Sequence, residues 1–406
     1  TNPLSSITYK ITVYNSSKDI YKVTEVKYDN QFYDNEAIIF EITGFIPEQK
    51  IQPHETKEIL ITFKYKDITA VPTNRILNSY LNFNMEKAEI TLAYLPDGFT
   101  HVEGTDLDNG YTIQDSKENQ YVWVEVPMTG EVYPTSGLNI MDFTDDEYTK
   151  IETDLHTYTK YYRNGTNYKD EYFSEEATGL TSDQYTELKK KMLKSVYQNG
   201  GFYVGKYETG IEDAPKTSGS ATEVPTETPV IKPNAYPYNY VTCSQAQLLA
   251  INMESGGYNT SLMFGVQWDL VLKYLETKGT KQEELKKDST NWGNYSNNLW
   301  NITNINSKYS TEYGLKWENR AYGEKNSDKG ILLSTGANDK FSKQGIYDLA
   351  GNVFEWTIEK NSDSSLPCVS RGGACSNLGN SIQAASRGYS NATKYYNAVG
   401  FRTSLF

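Results

Sequence analysis

Residues that could bind a metal or act as nucleophiles are scarce in this sequence, which has three Cys and three His among 406 residues. His54, His101 and His156 lie far apart, and none is close to a nucleophile motif, so no His-rich metal centre or Ser/His/Asp triad is evident. The cysteines show no Cys-x-x-Cys spacing, which excludes a zinc ribbon, and their odd number allows one disulfide and one spare thiol. They are Cys243, Cys368 and Cys375.

The overall composition is that of a folded chain without a membrane-spanning helix. Hydrophobic residues make up 37% of the chain and aromatic residues 13%, which is enough to build a core. No run approaches the ~20 apolar residues of a transmembrane segment. The 39 basic and 52 acidic residues give a net charge of −13, so we expect no nucleic-acid partner and attribute the excess acid to solubility. Two or three domains are expected at this length.

Residues 1–94 alternate between apolar and polar side chains, with turn signals between the alternating runs. This period of two predicts an all-β sandwich. The clearest runs are Ile7, Tyr9, Ile11 and Val13, then Ile38, Phe40 and Ile42, then Ile59, Ile61, Phe63 and Tyr65. Residues 7–15 and 77–83 also resemble the Ig-like spacer modules of bacterial surface proteins. We therefore predict an Ig-like spacer at 1–94, with a binding role as the alternative.

Beyond residue 94 the sequence predicts helices among long irregular stretches. Thr181 and Gln184 have capping-box spacing before an apolar stripe, which predicts a helix over 182–198. A second helix is expected to start near Ser244, and a third to run from Leu262 to Leu275. Residues 214–237 are rich in Pro, Thr and Ser, which is typical of a domain linker or of a surface loop within one domain.

The most distinctive segment is 345–357, which reads Gly-Ile-Tyr-Asp-Leu-Ala-Gly-Asn-Val-Phe-Glu-Trp-Thr. It resembles the signature of the formylglycine-generating enzyme family, also called the sulfatase-modifying factor family, whose fold is a variant of the C-type lectin fold. Further matches follow in the family's order, and they favour a surface loop for 214–237. They are the opening strands at 121–124 and 202–208, the helix segment at 267–269, the Arg-Gly-Gly strand at 371–373 and the Gly-Phe-Arg end at 400–402. The resemblance implies an α+β C-type-lectin-like domain over 95–406.

Several residues of these motifs have physical interpretations of their own. Trp356 lies in an alternating strand and is expected in the core. Gly372 and Gly373 suit a close approach of another backbone, and Arg402 is expected to fix the last strand by charge-assisted hydrogen bonds. The resemblance also implies a structural calcium, for which Asn352 and Glu355 would supply oxygen ligands. The alternative is that these two side chains only hydrogen-bond the backbone; no other cofactor is expected.

The family's catalytic chemistry lacks its ligands in this chain. The enzymes bind copper through two Cys that follow the Arg-Gly-Gly strand, and the matching positions here are Asn377 and Ile382. An amide and an alkyl side chain cannot replace the thiolates that bind a soft cuprous ion. Cys375 is displaced from the expected position, and no Cys follows it. We therefore expect no enzymatic activity, with an oxidase that uses displaced cysteines as the less favoured alternative.

A non-catalytic branch with the same fold comprises the variable proteins of diversity-generating retroelements, whose varied residues lie between the Arg-Gly-Gly strand and the Gly-Phe-Arg end. Adenine-directed mutagenesis there produces codons that exclude Lys, Glu, Gln, Met and Trp, and residues 374–382 contain none of these. The alternative is an ordinary irregular lectin loop. The resemblance implies ligand contacts within 374–397, which we call the variable stretch. They are Ala374, Cys375, Ser376, Asn377, Leu378, Asn380, Ser381, Ile382, Tyr389, Ser390, Asn391, Tyr395, Tyr396 and Asn397.

The positions of the cysteines relative to these motifs lead to a disulfide prediction. Cys243 opens a predicted core helix and Cys368 precedes the Arg-Gly-Gly strand, whereas Cys375 falls in the variable stretch. If the protein is exported, we expect a Cys243–Cys368 disulfide and a free Cys375. Three reduced thiols are the alternative.

The sequence thus predicts a bacterial or phage surface protein with an Ig-like module and a non-catalytic lectin-type head. The head would act as an adhesin or receptor-binding domain for a protein or glycan on another cell or surface. Its location would be extracellular, at the cell surface or on a phage particle. A fibre-forming or structural surface subunit is a further alternative.

Overall fold

The computed structural model describes residues 5–17, 21–28, 37–44, 50–51, 55–67, 81–87, 93–135, 138, 143–163, 167–253 and 258–406. The chain divides into two compact units, Thr1–Leu92 and Ala93–Phe406. In the described residues, no helix combines the length and apolar character needed to cross a membrane.

The N-terminal unit consists of two three-stranded antiparallel sheets. Its strands are β1 (Ser6–Tyr14), β2 (Tyr21–Tyr28), β3 (Ile38–Thr43), β4 (Lys50–Ile51), β5 (Thr56–Tyr65) and β6 (Leu81–Lys87). One sheet has the order β1-β5-β3 and the other β4-β2-β6. Tyr9 lies opposite Ile61 and Ile11 opposite Ile59, so the alternating apolar residues share one face, as predicted.

The two sheets of this unit face each other across a small apolar space. Val13 and Ile59 of the first sheet and Val23, Ile51 and Phe83 of the second line it. This arrangement agrees with a two-layer β fold. The Ig-like identity of the unit stays a prediction.

The C-terminal unit is built on two larger sheets. Its strands are β7 (Thr100–His101), β8 (Thr112–Gln114), β9 (Gln120–Glu125), β10 (Tyr168–Lys169), β11 (Gly201–Gly205), β12 (Gly210–Ile211), β13 (Tyr236–Pro237), β14 (Thr260–Leu262), β15 (Trp300–Ile302), β16 (Tyr309–Ser310), β17 (Gly323–Lys325), β18 (Leu332–Leu333), β19 (Ser342–Lys343), β20 (Ile346–Tyr347), β21 (Phe354–Asn361), β22 (Cys368–Arg371), β23 (Arg387–Ser390), β24 (Val399–Phe401) and β25 (Thr403–Leu405). A six-stranded sheet has the order β14-β25-β11-β9-β8-β7. The other sheet runs β10-β21-β22-β23, with β24 added parallel to β21.

Six helices are described in the C-terminal unit, and two of them begin where the sequence predicts. They are α1 (Asp145–Tyr158), α2 (Glu175–Thr178), α3 (Ser182–Asn199), α4 (Cys243–Ile251), α5 (Gly265–Thr277) and α6 (Gln282–Lys286). The predicted capping box of Thr181 and Gln184 starts α3, and Gly200 ends it at φ 74°. Helix α4 starts one residue before Ser244.

Two features of the helices differ from the sequence prediction. The third predicted helix starts at Gly265 rather than Leu262, because residues 260–262 pair with β25 as a strand. Helix α1 was not predicted, although Thr144 and Glu147 form a complete capping box at its start. Its apolar stripe is short, since only Ile151 and Leu155 are buried hydrophobic residues within it. Residues 214–237 lie within the C-terminal unit, so the interpretation of this segment as a loop is confirmed.

Candidate binding site

The signature segment forms β21, whose buried charges are matched by arginines from the neighbouring strands. Glu355 accepts hydrogen bonds from Arg402 at 2.9 Å (Nε to Oε2) and 2.5 Å (Nη2 to Oε1), and both side chains are buried. Arg402 also donates to the carbonyls of Gly205 and Tyr347, each at 2.8 Å. Trp356 is buried, and its indole donates to the Val241 carbonyl at 3.0 Å. The predicted anchoring by Arg402 and the core position of Trp356 are confirmed.

Three carboxylic acids surround this single arginine in the interior. Glu208 receives hydrogen bonds from the Asn352 amide at 2.6 Å and the Val353 backbone N–H at 3.2 Å. Burial raises the pKa of Asp348 to about 7 although the Gly336 backbone N–H and Arg402 favour its charged form. Burial, with the nearby Asp348 and Glu355, holds the pKa of Glu208 well above its usual value. The interior under the signature thus binds protons more readily than free carboxylates do.

The same contacts occupy the oxygens that calcium would need. The Asn352 side-chain oxygen accepts from the Asn294 amide at 2.9 Å and the Leu333 backbone N–H at 3.0 Å. Both Glu355 oxygens accept from Arg402. The calcium expectation for Asn352 and Glu355 is therefore not supported by their geometry, because these oxygens already accept hydrogen bonds from neighbouring groups and from Arg402.

A second buried group of charges supports the Arg-Gly-Gly strand, β22. Arg371 donates to Asp269 at 2.8 Å and to Glu359 at 3.3 Å. Arg387 contacts the same two carboxylates, at 3.1 and 3.0 Å. Sequence reasoning missed Glu359 and Arg387, although Glu359 shares its parity on β21 with Glu355. Two cations and two anions are thus paired beneath the strand that leads into the variable stretch.

The glycine after Arg371 has the role that the sequence predicts. Gly372 has φ 88°, and a Cβ at this position would lie 2.8 Å from the carbonyl oxygen of Leu349. No other residue fits this close approach without strain. The chain can therefore turn directly from β22 into the variable stretch.

The first two residues of the variable stretch are buried, which corrects their assignment as ligand contacts. Ala374 and Cys375 are each 1% exposed. Cys375 packs with Leu332, Val353 and Trp317, and its backbone N–H donates to the Asn352 carbonyl at 2.8 Å. Burial raises the pKa of the Cys375 thiol to about 12. This cysteine is a core residue because its backbone is tied to the buried signature segment.

The following loop, 376–382, is exposed through most of its side chains and anchored through its main chain. The Asn377 carbonyl accepts from the backbone N–H and the hydroxyl of Ser296, both at 2.9 Å. The Gly379 carbonyl accepts from the Ser289 N–H at 3.0 Å. The exposed predicted contacts here are Ser376, Leu378, Asn380 and Ser381, and the half-buried ones are Asn377 and Ile382.

The second part, 389–397, is held in the same way by a different part of the scaffold. The Tyr396 carbonyl accepts from the Tyr240 N–H at 2.9 Å, and the Asn397 carbonyl accepts from the Asn239 side chain at 2.7 Å. Tyr389, Tyr395 and Tyr396 are exposed, while Asn391 and Asn397 are half-buried. Ser390 is buried on β23, opposite Cys368, which corrects its assignment as an exposed contact.

The three cysteines are free thiols in this structure, and the Cys243–Cys368 disulfide, expected if the protein is exported, stays a prediction. Cys243 and Cys368 nevertheless lie together in the core. Their mutual hydrogen bond, with burial, raises the pKa of the Cys243 thiol well above its usual value. Cys375 lies in a separate apolar cluster. The two cysteines that the sequence prediction pairs are therefore neighbours in the fold.

A cluster of Glu152, His156 and Asp170 is the one group of three or more potential metal ligands within the described part of the chain. Asp170 caps α5 by accepting from the Gly265 N–H at 2.6 Å and the Val266 N–H at 3.0 Å. Nearby His156, Arg163 and Lys189 lower the pKa of this buried carboxyl to about 2. The cluster is therefore a helix cap surrounded by positive charge, which disfavours a metal ion.

Comparisons with known proteins agree with the sequence resemblance over part of the chain. Residues 256–405 match the family model of the sulfatase-modifying factor enzyme 1-like domain. No match was found among curated proteins. The solved structure of Treponema denticola variable protein 1 is similar at 14% identity and a TM-score of 0.26, over 50% of this chain and 84% of that chain. That likeness is too distant to support an inference of its own.

The family match covers the signature, the Arg-Gly-Gly strand and the Gly-Phe-Arg end. The signature strand is buried, and the other two segments flank the variable stretch on either side. Residues 256–405 are therefore similar to the sulfatase-modifying factor enzyme 1-like domain, which supports the C-type-lectin-like class that the resemblance implies.

Proposed function

We propose that this protein is a non-catalytic ligand-binding protein whose C-terminal unit presents the variable stretch to a partner. The observation that carries the proposal is how this stretch is attached. Four of its main-chain carbonyls, at Asn377, Gly379, Tyr396 and Asn397, accept hydrogen bonds from the scaffold. Carbonyl groups are present whatever the side chain, so the side chains of this stretch can change without loss of its anchors.

The exposed side chains are of the kind that serves adaptable recognition. Tyr389, Tyr395 and Tyr396 are 56%, 37% and 42% exposed. Tyrosine supplies a large, rigid contact area, and Ser and Asn add hydrogen bonds, as in antibody binding loops. This composition favours a binding surface over a catalytic one.

The chemistry of the parent enzymes finds no support in the geometry of the corresponding residues. Asn377, at one copper-ligand position, accepts a hydrogen bond from the Ala374 N–H at 2.8 Å. Ile382, at the other position, offers no ligand atom. The nearby Cys375 is buried with a raised pKa, so its thiolate form is disfavoured. A copper-dependent oxidase is therefore the weaker candidate.

The proposal extends to an extracellular, cell-surface or phage-borne adhesin or receptor-binding protein, with residues 1–94 as a spacer. Diversification of the variable stretch by a retroelement is part of the proposal. A near-identical template repeat differing only at adenines, next to a reverse transcriptase gene, would support it.

Binding and chemistry can be tested on the same purified chain. It is applied to arrays of cell-surface glycans and of bacterial surface proteins, beside a Tyr395→Ala/Tyr396→Ala variant. We expect saturable binding to at least one probe that the variant loses. Stoichiometric copper by elemental analysis, together with oxidation of a sulfatase-derived Cys peptide above a heat-killed control, would contradict the proposal.

A further inference from the structure

Two tyrosines outside the variable stretch have left-handed backbone conformations and lie against it. Tyr240 has φ 56° and Tyr313 has φ 51°. This conformation is uncommon for residues other than glycine and costs of the order of 1–3 kcal/mol. Such strain is kept where the surrounding structure requires it, and it clusters at functional sites.

Tyr313 lies beside the first exposed loop of the variable stretch. A Cβ on Gly330 would come within 2.8 Å of the Tyr313 ring and 3.0 Å of the Cα of Ser376. Because Gly330 has no side chain, the Tyr313 ring and the Ser376 backbone can both pack closely against it. The Tyr313 side chain remains accessible, with the residue 38% exposed.

The residue after Tyr313 reaches toward the second part of the variable stretch. A Cβ on Gly314 would lie 3.1 Å from the Asn239 side-chain nitrogen, which itself donates to the Asn397 carbonyl at 2.7 Å. Loop 376–382 and segment 389–397 rest on different supports, and the Tyr313–Gly314 turn contacts the surroundings of both. The Tyr313–Gly314 turn therefore adjoins the surroundings of both parts of the variable stretch.

Tyr240, which shares the left-handed backbone conformation of Tyr313, contacts segment 389–397 of the variable stretch. Its N–H holds the Tyr396 carbonyl, and a Cβ on Gly219 would meet both the Tyr240 carbonyl and the Tyr395 ring. Tyr240, a strained residue outside the variable stretch, thus holds the main chain at Tyr396, and Gly219 lies close to both Tyr240 and the Tyr395 ring.

We propose that Tyr313 is a constant contact residue of the binding surface, shared by all variants of the stretch, and that the partner is a folded protein. The inference rests on the proposed function and adds a residue outside 374–397 to it. Leu315 and Leu378 are 57% and 46% exposed next to Tyr313 and within loop 376–382. Aliphatic side chains beside tyrosines gain from burial against another protein surface, whereas they offer no hydrogen bonds to a sugar.

The test separates this inference from the proposed function by selecting binders for a defined probe. The full chain is displayed on phage with the exposed positions 376, 378, 380, 381, 389, 395 and 396 randomised, and selected against hen lysozyme. In each binder, Tyr313→Asn removes the ring, while Asn tolerates the left-handed backbone. Tyr94→Asn is the matched control, because Tyr94 is 42% exposed.

We expect Tyr313→Asn to raise the Kd for lysozyme about tenfold or more in most binders, and Tyr94→Asn to change it less than twofold. A p-benzoylphenylalanine at position 313 should crosslink to bound lysozyme, which tests the contact even if the truncation unfolds the protein. Binders in which position 313 neither crosslinks nor affects Kd would overturn the inference alone. Failure to select any binder would overturn the proposed function with it.

Discussion

The strands around the variable stretch and the stretch itself are held in place by different kinds of contact, although they are neighbours in sequence. In β21, β22 and the Arg402 segment, side chains carry the structure: Glu355, Arg371 and Arg402 are buried and paired. In loop 376–382 and segment 389–397, the main chain carries it, through carbonyls that accept hydrogen bonds from Ser289, Ser296, Asn239 and Tyr240. Scaffold positions therefore depend on residue identity, whereas most positions of the stretch do not.

The change from buried to exposed side chains occurs between Cys375 and Ser376, two residues after the end of the Arg-Gly-Gly motif. Cys375 is 1% exposed, whereas the next residue, Ser376, is exposed. The last scaffold contact before the loop is the hydrogen bond from the Cys375 N–H to the Asn352 carbonyl. Side chains become exposed directly after Cys375, the residue whose backbone is bonded to the signature segment.

The largest effect is expected from breaking a buried ion pair of the scaffold. Arg402→Met leaves Glu355 buried without its cation, next to Glu208 and Asp348. Removing one partner of a buried pair costs about 3–5 kcal/mol. Chemical denaturation should show this loss, and Lys10→Met, which breaks an exposed pair with Glu58, should change stability by less than ~1 kcal/mol. Equal losses in the two variants would remove the distinction between scaffold and surface.

Linking scaffold positions covalently should stabilise the unit without involving the variable stretch. Refolding in a glutathione redox buffer should join Cys243 to Cys368: the two thiols lose two protons and two electrons, and oxidised glutathione is reduced to two thiols. A native disulfide contributes typically ~2–4 kcal/mol. Peptide mapping without reduction should find this bond and a free Cys375, with Cys243→Ala as the control. A Cys368–Cys375 bond would show that Cys375 is not a scaffold residue of the core.

The roles of scaffold residues could be predicted from the sequence wherever a residue type in its motif has one main structural role. Trp356, Gly372 and Arg402 were predicted in their observed roles because an aromatic, a glycine and a terminal arginine within strand motifs leave few alternatives. Thr181 and Gln184 located the start of α3 for the same reason. The ion-pair partners of Arg371 were harder to find, since one of them, Asp269, lies on α5 and far away in sequence.

The predictions that failed depend on contacts that no local pattern shows. Cys375 and Ser390 were assigned to the exposed stretch, but pairing with the Asn352 carbonyl and with Cys368 buries them. The calcium site at Asn352 and Glu355 stays a prediction, although Leu333 and Arg402 already donate hydrogen bonds to their oxygens. The chemistry of a side chain is readable from the sequence, whereas competition for its atoms is decided by the fold.

The excess of acid over base in the scaffold interior predicts a specific pH dependence. Burial raises the pKa of Asp348 to about 7, above its value in the unfolded chain, so the folded state binds the extra proton. Stability from this group is therefore present below about pH 4 and is lost as pH rises toward 7. Between pH 5 and 8 the free energy of unfolding should fall by about 2–3 kcal/mol, and the melting temperature should fall with it.

Replacement of the titrating group identifies the source of this trend. Asp348→Asn keeps an acceptor for the Gly336 N–H, which lies 2.7 Å from the carboxylate, and tolerates the local φ of 59°. The variant should lose part of the pH slope, with the remainder due to the raised pKa of Glu208, while Asp213→Asn, at an exposed position, should retain all of it. An unchanged slope in Asp348→Asn would place the titrating group elsewhere.

The smallest effect on stability is expected where the side chains are most exposed. Tyr389→Ala and Tyr395→Ala remove large rings but leave the main-chain anchors at Tyr396 and Asn397 intact, so unfolding free energies should change by about 0.5 kcal/mol or less. By contrast, Asn239→Ala removes a donor to one of those anchors, at the Asn397 carbonyl, and should cost about 1 kcal/mol. Thermal and urea melts of the three variants compare the two kinds of contribution directly. If the tyrosine variants lose more stability than Asn239→Ala, the side chains rather than the carbonyls hold the variable stretch in place, and its sequence is not free to vary.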